Sequence, residues 1–424
     1  MQTKEAFIDY IKNFRLGEEK NEIGIFDREK NWTENNTIVK EEKIEDYKVN
    51  KYINEFWTSK QRQANSIHEI SYRACFKPQL PKFFIKHLTQ EGDFIYDPFL
   101  GRGTTVIEGA LMGRQVIGND VNPLSKILSQ PRLQIPSLLR LKKYLQGIPV
   151  DYEQKANRDL SMFYHPKTES EIVSLKEYIL NRVAKDKLNK LDQWIRMVAT
   201  NRLTGHSKGF FSVYTMPPNQ AVTPKSQRRI NKKRGQSPEY RNVKARIIKK
   251  SSSLIRDITP HHRKTLKKVD KSALFLNEDA RKTRDIPDNT VQLTVSSPPF
   301  LDVVQYARDN WLRCWFNGLD AEAIEKNITM SKSVEKWSEI MQSVFNELHR
   351  ITKFGGYIAF EVGEVRKGKI NLDEYIVPIG IEAGFNPLGI LINQQEFTKT
   401  SNIWGVKNNT KGTNSNRIAI FRKD

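Results

Sequence analysis

Cysteine is almost missing from this 424-residue chain: only Cys75 and Cys314 occur, far apart and in no Cys-x-x-Cys pair. That leaves no basis for a disulfide framework or a structural zinc site, and it fits a reducing cytoplasm. Clustered metal ligands are also lacking. His261-His262 has no other ligand nearby and reads as phosphate-facing at most, and no nuclease-like metal cluster argues for a fused restriction activity. No apolar run reaches the roughly 18 residues a membrane span requires. The opening MQTKEAFIDYIKNF sets acids among its apolar residues, unlike a secretory leader. Internal repeats and low-complexity tracts are missing too. The expected localisation is cytoplasmic.

Acidic residues are the scarcer charge. Against 49 Asp+Glu stand 70 Lys+Arg, a net charge of +21, which favours a polyanionic partner over a small neutral metabolite. The excess is local: from Arg202 to Lys268 there are 18 bases and two acids, Glu239 and Asp257. Residues 17–46 lean the other way, with ten acids and five bases, and read as a polar N-terminal arm.

Hydrophobic patterning places the regular elements. Gly92–Asp97 is a short apolar strand, Thr104–Met112 a helix, and Gln115–Asp120 a second strand ending on an acid, together a β-α-β unit. Further strands are expected at Ser272–Leu276, Val291–Val295 and Gly356–Val362, with an amphipathic helix over Ser333–Ile351. Two more, Gly389–Asn393 and Asn416–Arg422, close the chain and can add an antiparallel edge. Alternating strands and helices predict an open, mostly parallel sheet covered on both faces.

Three stretches carry chemistry. In YDPFLGRGTT, Gly101 and Gly103 let the backbone turn tightly and approach a ligand, while Thr104 and Thr105 offer free amides at a helix N-terminus for a carboxylate. The nicotinamide pattern wants a third glycine where Val106 stands. In GNDVNP, Asp120 ends the second strand beside that turn and can accept from ribose hydroxyls. A ligand with a ribose at one end and an amino acid at the other is S-adenosyl-L-methionine. In SSPPF, Pro298 and Pro299 fix the backbone and remove two amide donors, so the loop offers rigid carbonyl acceptors. An exocyclic amine can give one N–H to the Ser297 side chain and the other to a neighbouring carbonyl, with Phe300 stacked on the base. Asp97 either anchors the glycine turn or touches the cofactor's ammonium. Phe210, Phe211 and Tyr214 lie among bases and suit phosphate contacts with a stacking or wedging ring, against the plainer reading of a solvated basic loop. Tyr306, Trp311 and Trp315 have helical spacing and read as core or pocket wall.

With these motifs in one order, the sequence resembles the amino-group DNA methyltransferases, on DPFLGRGTT, GNDVNP and SPPF. The resemblance implies a Rossmann-like α/β methyltransferase fold with a mostly parallel seven-stranded sheet and an inserted basic domain. It divides the chain into a polar arm (1–50), a first catalytic part with the cofactor motifs (51–135), an inserted basic target-recognition region (136–270) and a second catalytic part with SPPF (271–424). It implies cofactor contacts from Lys77 and Pro78 at the methionine end, and from Asp97, Phe99, Gly101, Gly103, Thr104, Thr105, Asp120 and Asn122. Asp279 and Ala280 resemble the turn that reads the adenine, although Asp279 also suits a helix cap. Ser297, Pro298, Pro299 and Phe300 take the catalytic place. Serine in the first position is similar to the cytosine-N4 branch, where adenine-N6 enzymes more often carry Asp or Asn. The implied DNA contacts are Arg202, Lys208, Arg228, Arg229, Lys232, Lys233 and Arg234. The partners implied are duplex DNA and, in a restriction-modification setting, a cognate endonuclease. An adenine-N6 enzyme is the alternative, followed by an RNA methyltransferase and a catalytically silent nucleic-acid-binding subunit.

Overall fold

The computed structural model describes residues 3–16, 36–57, 64–73, 75–216, 222–299, 306–328, 333–365, 370–394 and 415–424. Its strands are β1 (Ile38–Ile44), β2 (Tyr47–Asn54), β3 (Phe94–Asp97), β4 (Gln115–Asn119), β5 (Leu274–Leu276), β6 (Val291–Ser296), β7 (Thr352–Val362), the short pair β8 (Glu364–Val365) and β9 (Ile370–Asn371), β10 (Asn386–Gln394) and β11 (Ser415–Arg422). Nine of them form one sheet in the order β1-β2-β10-β11-β7-β6-β3-β4-β5.

The central strands β5, β4, β3, β6 and β7 run parallel to one another. All six residues of β6 are buried, as expected for a parallel strand covered on both faces. From β3 the chain winds outward through β4 to β5, then returns to place β6 and β7 on the other side of β3. The order therefore reverses between β3 and β6, and the carboxyl ends of these two strands flank the crevice where doubly wound sheets bind ligands.

The expected seven strands are present, but the sheet has nine. β11 runs antiparallel to both β7 and β10. This pair does not form the edge, because β2 adds in parallel to β10 and carries β1 beyond it. The described part of residues 1–50 is thus built into the fold. The helix Lys4–Lys12 turns Phe7 and Ile11, one helical repeat apart, fully into the core. The hairpin is tied down by a buried carboxylate. Asp373 accepts two hydrogen bonds from Arg417 at 2.8 and 2.7 Å and lies 3.8 Å from the Lys51 ammonium.

The basic insertion between β4 and β5 is helical, with helices Leu138–Gln146, Pro166–Ala184, Lys190–Arg202, Pro224–Arg234, Val243–Leu254 and Pro260–Val269. Trp194, Ile195 and Val198 share one apolar cluster with Val106, Ile107 and Ala110 of the helix Thr104–Leu111. The insertion consequently packs on the sheet's own helix layer. Among the described residues, no helix is long and apolar enough to cross a membrane.

Candidate active site

The glycine turn sits at the carboxyl end of β3, and its two glycines do different things. Gly101 and Gly103 both have positive φ, +50° and +75°. A Cβ on Gly101 would meet only ordinary contacts, Cys75 Sγ at 3.7 Å and a Tyr72 ring carbon at 3.8 Å. A Cβ on Gly103 would lie 2.3 Å from Ser129 Oγ. Gly103 therefore lets the protein pack against itself, while Gly101 has room for a Cβ in ordinary contact with Cys75 and Tyr72.

Asp120, just past β4, closes the turn. Its carboxylate accepts from the Gly101 amide at 2.9 Å, the Asn122 amide at 3.0 Å and the Ser125 hydroxyl at 2.7 Å. Burial pushes its pKa up, and these hydrogen bonds oppose that. A carboxylate has about four acceptor positions. With three in use, Asp120 can take one ribose hydroxyl as it stands, and a second requires Ser125 to turn away. Asn122 caps the next helix through the Leu124 amide and donates to the Tyr72 hydroxyl at 3.0 Å. The Asn277 side chain donates to the Asp120 carbonyl at 2.8 Å, which brings the Asn277–Ala280 turn beside GNDVNP. The Asp279 carboxylate is held by Arg281 at 2.9 and 3.0 Å and caps no helix, while Ala280 is buried.

Two buried arginines, unflagged by the sequence reading, brace this turn. Arg102 donates to the carbonyls of Ile70 and Phe76, each at 3.1 Å, and to Thr104 Oγ1. Arg132 donates to the carbonyls of Leu128, Ile67 and Arg102, and burial beside Arg102 lowers its pKa to about 9. Together they clamp the segment leading into Lys77-Pro78 against the glycines. Burial and the nearby Arg102 charge lower the Lys77 pKa, which leaves a half-buried ammonium beside the turn. Thr105 Oγ1 donates to the Val295 carbonyl at 2.9 Å and so staples the turn's helix to β6. Both threonine hydroxyls are thus engaged, and the first-turn amides remain as donors for an anion.

The SSPPF loop leaves β6 directly opposite. Ser296 Oγ donates to Asp97 Oδ1 at 2.6 Å, and the Phe99 amide donates to the same oxygen at 3.2 Å. Burial pushes the Asp97 pKa up to about 7. Asp97 thus anchors both the glycine turn and the start of the SSPPF loop. Beside the Ser297 side chain lies Glu361 of β7, whose pKa burial raises to about 7 and which accepts from Asn416. The Pro299 carbonyl accepts from the Trp337 indole at 3.1 Å, and the Val295 carbonyl is already taken by Thr105. Phe300 lies outside the described residues.

Glu361 and Ser296 were missed by sequence reasoning. A signal for Glu361 existed: it is a lone acid inside the apolar run YIAFEV of a strand whose end must lie at the same edge.

The basic candidates divide by exposure. Lys208, Arg228, Arg229, Lys232, Lys233 and Arg234 are exposed. Arg202 is only 8% exposed, with its guanidinium 3.9 Å from the Phe210 ring centre and a bond to Asn201, which removes it from the residues able to meet a phosphate. Phe210 and Phe211, at 4% and 1%, are core residues and not stacking platforms. Trp315 is buried and Trp311 packs against the same core, as their spacing suggests. His262 caps its own helix with Thr259.

A doubly wound sheet with a glycine turn and a carboxylate at its switch point defines an α/β cofactor-binding fold of the nucleoside type. Sequence comparisons narrow the class. Residues 2–127 match the model of the N6_N4_Mtase family, described as DNA methylase. The chain is 26% identical over 304 residues to the Type II methyltransferase M.BsoBI of Geobacillus stearothermophilus, covering 66% of this chain and 59% of that protein. It is 36% identical over 88 residues to the Type II methyltransferase M.MjaII of Methanocaldococcus jannaschii, 20% of this chain and 17% of that one. It is 35% identical over 98 residues to the Type II methyltransferase M.MvaI of Kocuria varians, 22% and 20% respectively. The matches thus span from 17% to 59% of these relatives' lengths. They show kinship with the amino-group DNA methyltransferases of the N4/N6 type, a family whose cofactor is S-adenosyl-L-methionine.

Proposed function

We propose that the protein is a site-specific DNA methyltransferase that moves a methyl group from S-adenosyl-L-methionine to the exocyclic N4 amine of cytosine in duplex DNA, within a restriction-modification or DNA-protection role. The observation that carries the reading is the Ser296–Asp97 hydrogen bond, which sets the SSPPF loop against the glycine turn and Asp120.

The residues present fit the cofactor: the positive-φ turn at Gly101, spare acceptor capacity on Asp120, and first-turn amides of the helix Thr104–Leu111 for a carboxylate. When bound, S-adenosyl-L-methionine supplies a methyl group carried on a sulfonium. Asp120 and Asn122 hold the ribose end, Asp279 and Ala280 the adenine, and Lys77 and Pro78 the methionine end. Ser297 and a loop carbonyl orient the two N–H groups of the amine, which is the main work of catalysis in a proximity-controlled transfer. Glu361, raised to about 7, is poised at neutral pH to take up the proton shed through the Ser297 hydroxyl. The target base sits inside a duplex and is flipped out at a cost of a few kcal/mol. The exposed bases of the insertion hold the backbone.

Adenine-N6 is the second reading, because serine and carbonyl offer the same contacts to either amine. Single-molecule sequencing of DNA from an unmethylated host expressing the protein reports the modified base and its context together. N4-methylcytosine in one recurring sequence is the expected outcome; unmodified DNA would overturn the reading.

A further inference from the structure

Residues of the loop from Leu203 to Met216 and of the turn from Gly235 to Arg241 line an open cavity of about 380 Å³. Its walls are built rather than incidental. Arg241, 5% exposed, donates to the carbonyls of Ser207 and Phe210 at 3.3 Å and to that of Ser212, and pairs with Glu239 at 3.0 Å. The Tyr214 carbonyl is gripped by the side-chain amides of Gln227 and Gln236, each at 2.9 Å. One face of the Tyr214 ring carries the Arg234 guanidinium at 3.9 Å from the ring centre. The lining otherwise presents polar groups, His206, Lys208, Gln236 and Ser237 among them.

The helix Lys190–Arg202, which leads into this loop, is fastened where Asn201 donates to the Ser71 carbonyl, next to Tyr72 and Gly101. Val222, just ahead of the helix Pro224–Arg234, accepts through its carbonyl from the Trp311 indole at 3.3 Å. The neighbouring helix Pro224–Arg234 exposes Arg228, Arg229, Lys232 and Lys233 and contains no acid.

We propose that this cavity holds one nucleotide of the DNA near the methylated base and so sets sequence preference. The cation rim positions the phosphate without reading sequence, and the polar lining with its fixed tyrosine meets the base. The volume suits a single base with its sugar, not a base pair. The inference rests on the methyltransferase reading above.

The test uses the full-length protein and a duplex library with randomised positions around the methylated base. Wild type is expected to show at least one flanking position where changing the base lowers methylation roughly tenfold, the scale of one good base contact. Ser237→Trp fills the cavity from an exposed position, and Lys208→Ala removes a rim cation with less disturbance. Ser237→Trp should erase the preference at that position, and Lys208→Ala should weaken methylation across all contexts alike. Calorimetric binding of S-adenosyl-L-methionine should be unchanged in both, which establishes that each variant folds. The wild-type preference retained in Ser237→Trp, or undiminished methylation in Lys208→Ala, would overturn the cavity's role while leaving the methyltransferase reading intact. No methylation of any duplex by the wild type would overturn that reading, and this inference with it.

Discussion

Alanine at Gly101 and at Gly103 should have opposite consequences, although the two residues stand one apart in the same motif. At Gly103 the added methyl meets Ser129 Oγ at 2.3 Å and Ser129 Cβ at 2.8 Å, with Arg132 Nη2 at 3.2 Å. Ser129 and Arg132 are themselves fully buried and cannot swing into solvent. The left-handed backbone, φ +75°, adds about 1 to 2 kcal/mol for a residue with a Cβ. Overpacking a buried contact adds about 1 to 3 kcal/mol. Gly103→Ala should therefore lose roughly 2 to 5 kcal/mol of stability. Gly101→Ala carries the backbone term alone, since its nearest neighbours would be 3.7 to 3.8 Å away, but it places a methyl in the space proposed for the cofactor. It should lose no more than about 2 kcal/mol of stability and bind S-adenosyl-L-methionine at least about tenfold more weakly, a loss of about 1.4 kcal/mol. Urea unfolding without cofactor and calorimetry with it separate the two quantities. Equal destabilisation of the two variants, or wild-type cofactor affinity in Gly101→Ala, would refute this division of labour.

Asp97 should make stability depend on pH: its folded pKa of about 7 lies above the ordinary 3.8, so its contribution is complete below that lower value and lost as pH rises through about 7. At about 1.4 kcal/mol per pKa unit, the loss is on the order of 4 kcal/mol, and Asp97→Asn should flatten unfolding free energy measured between pH 4 and 8; an unaltered slope would place the titration elsewhere. Methyl transfer in the wild type should rise with pH through about 7 as Glu361 ionises, whereas Glu361→Gln should be slower and lack that rise with cofactor affinity intact; a variant with the wild-type pH profile removes Glu361 from the proton's path. Replacing Arg228, Arg229, Lys232 and Lys233 with alanine should reduce the slope of log DNA affinity against log salt by about 0.9 for each phosphate no longer neutralised. The same slope in the quadruple variant would put the DNA on another face.

Local patterning made most of the central sheet legible. The β-α-β unit, β6, β7 and the closing pair β10 and β11 all lie within a few residues of where apolar runs and glycines put them. The N-terminal hairpin escaped because an outer strand such as IVKEEKI is charged along most of its length and buries only Ile44. Its burial comes from β2 and from Lys51 reaching Asp373, a partner more than 300 residues away. The motif residues were legible for the same reason that they are motifs: consecutive positions in one βα turn. The bracing was not, since Arg102 and Arg132 act through backbone carbonyls that no residue type announces. Arg202, Phe210 and Phe211 show the reverse error. Bases interleaved with aromatics suggest a nucleic-acid surface, yet the Arg202 guanidinium lies on the Phe210 ring inside the protein.

The most direct test is the product itself. Purified protein is incubated with S-adenosyl-L-methionine and duplex DNA of mixed sequence, and the DNA is digested to nucleosides for mass spectrometry. The expected result is N4-methylcytosine, greatly reduced by Ser297→Ala while cofactor and DNA binding persist, because the missing hydroxyl is the group proposed to position the amine. N6-methyladenine as the sole product would contradict the assignment of the base, and a duplex left without any methylated nucleoside would contradict DNA methylation as the function.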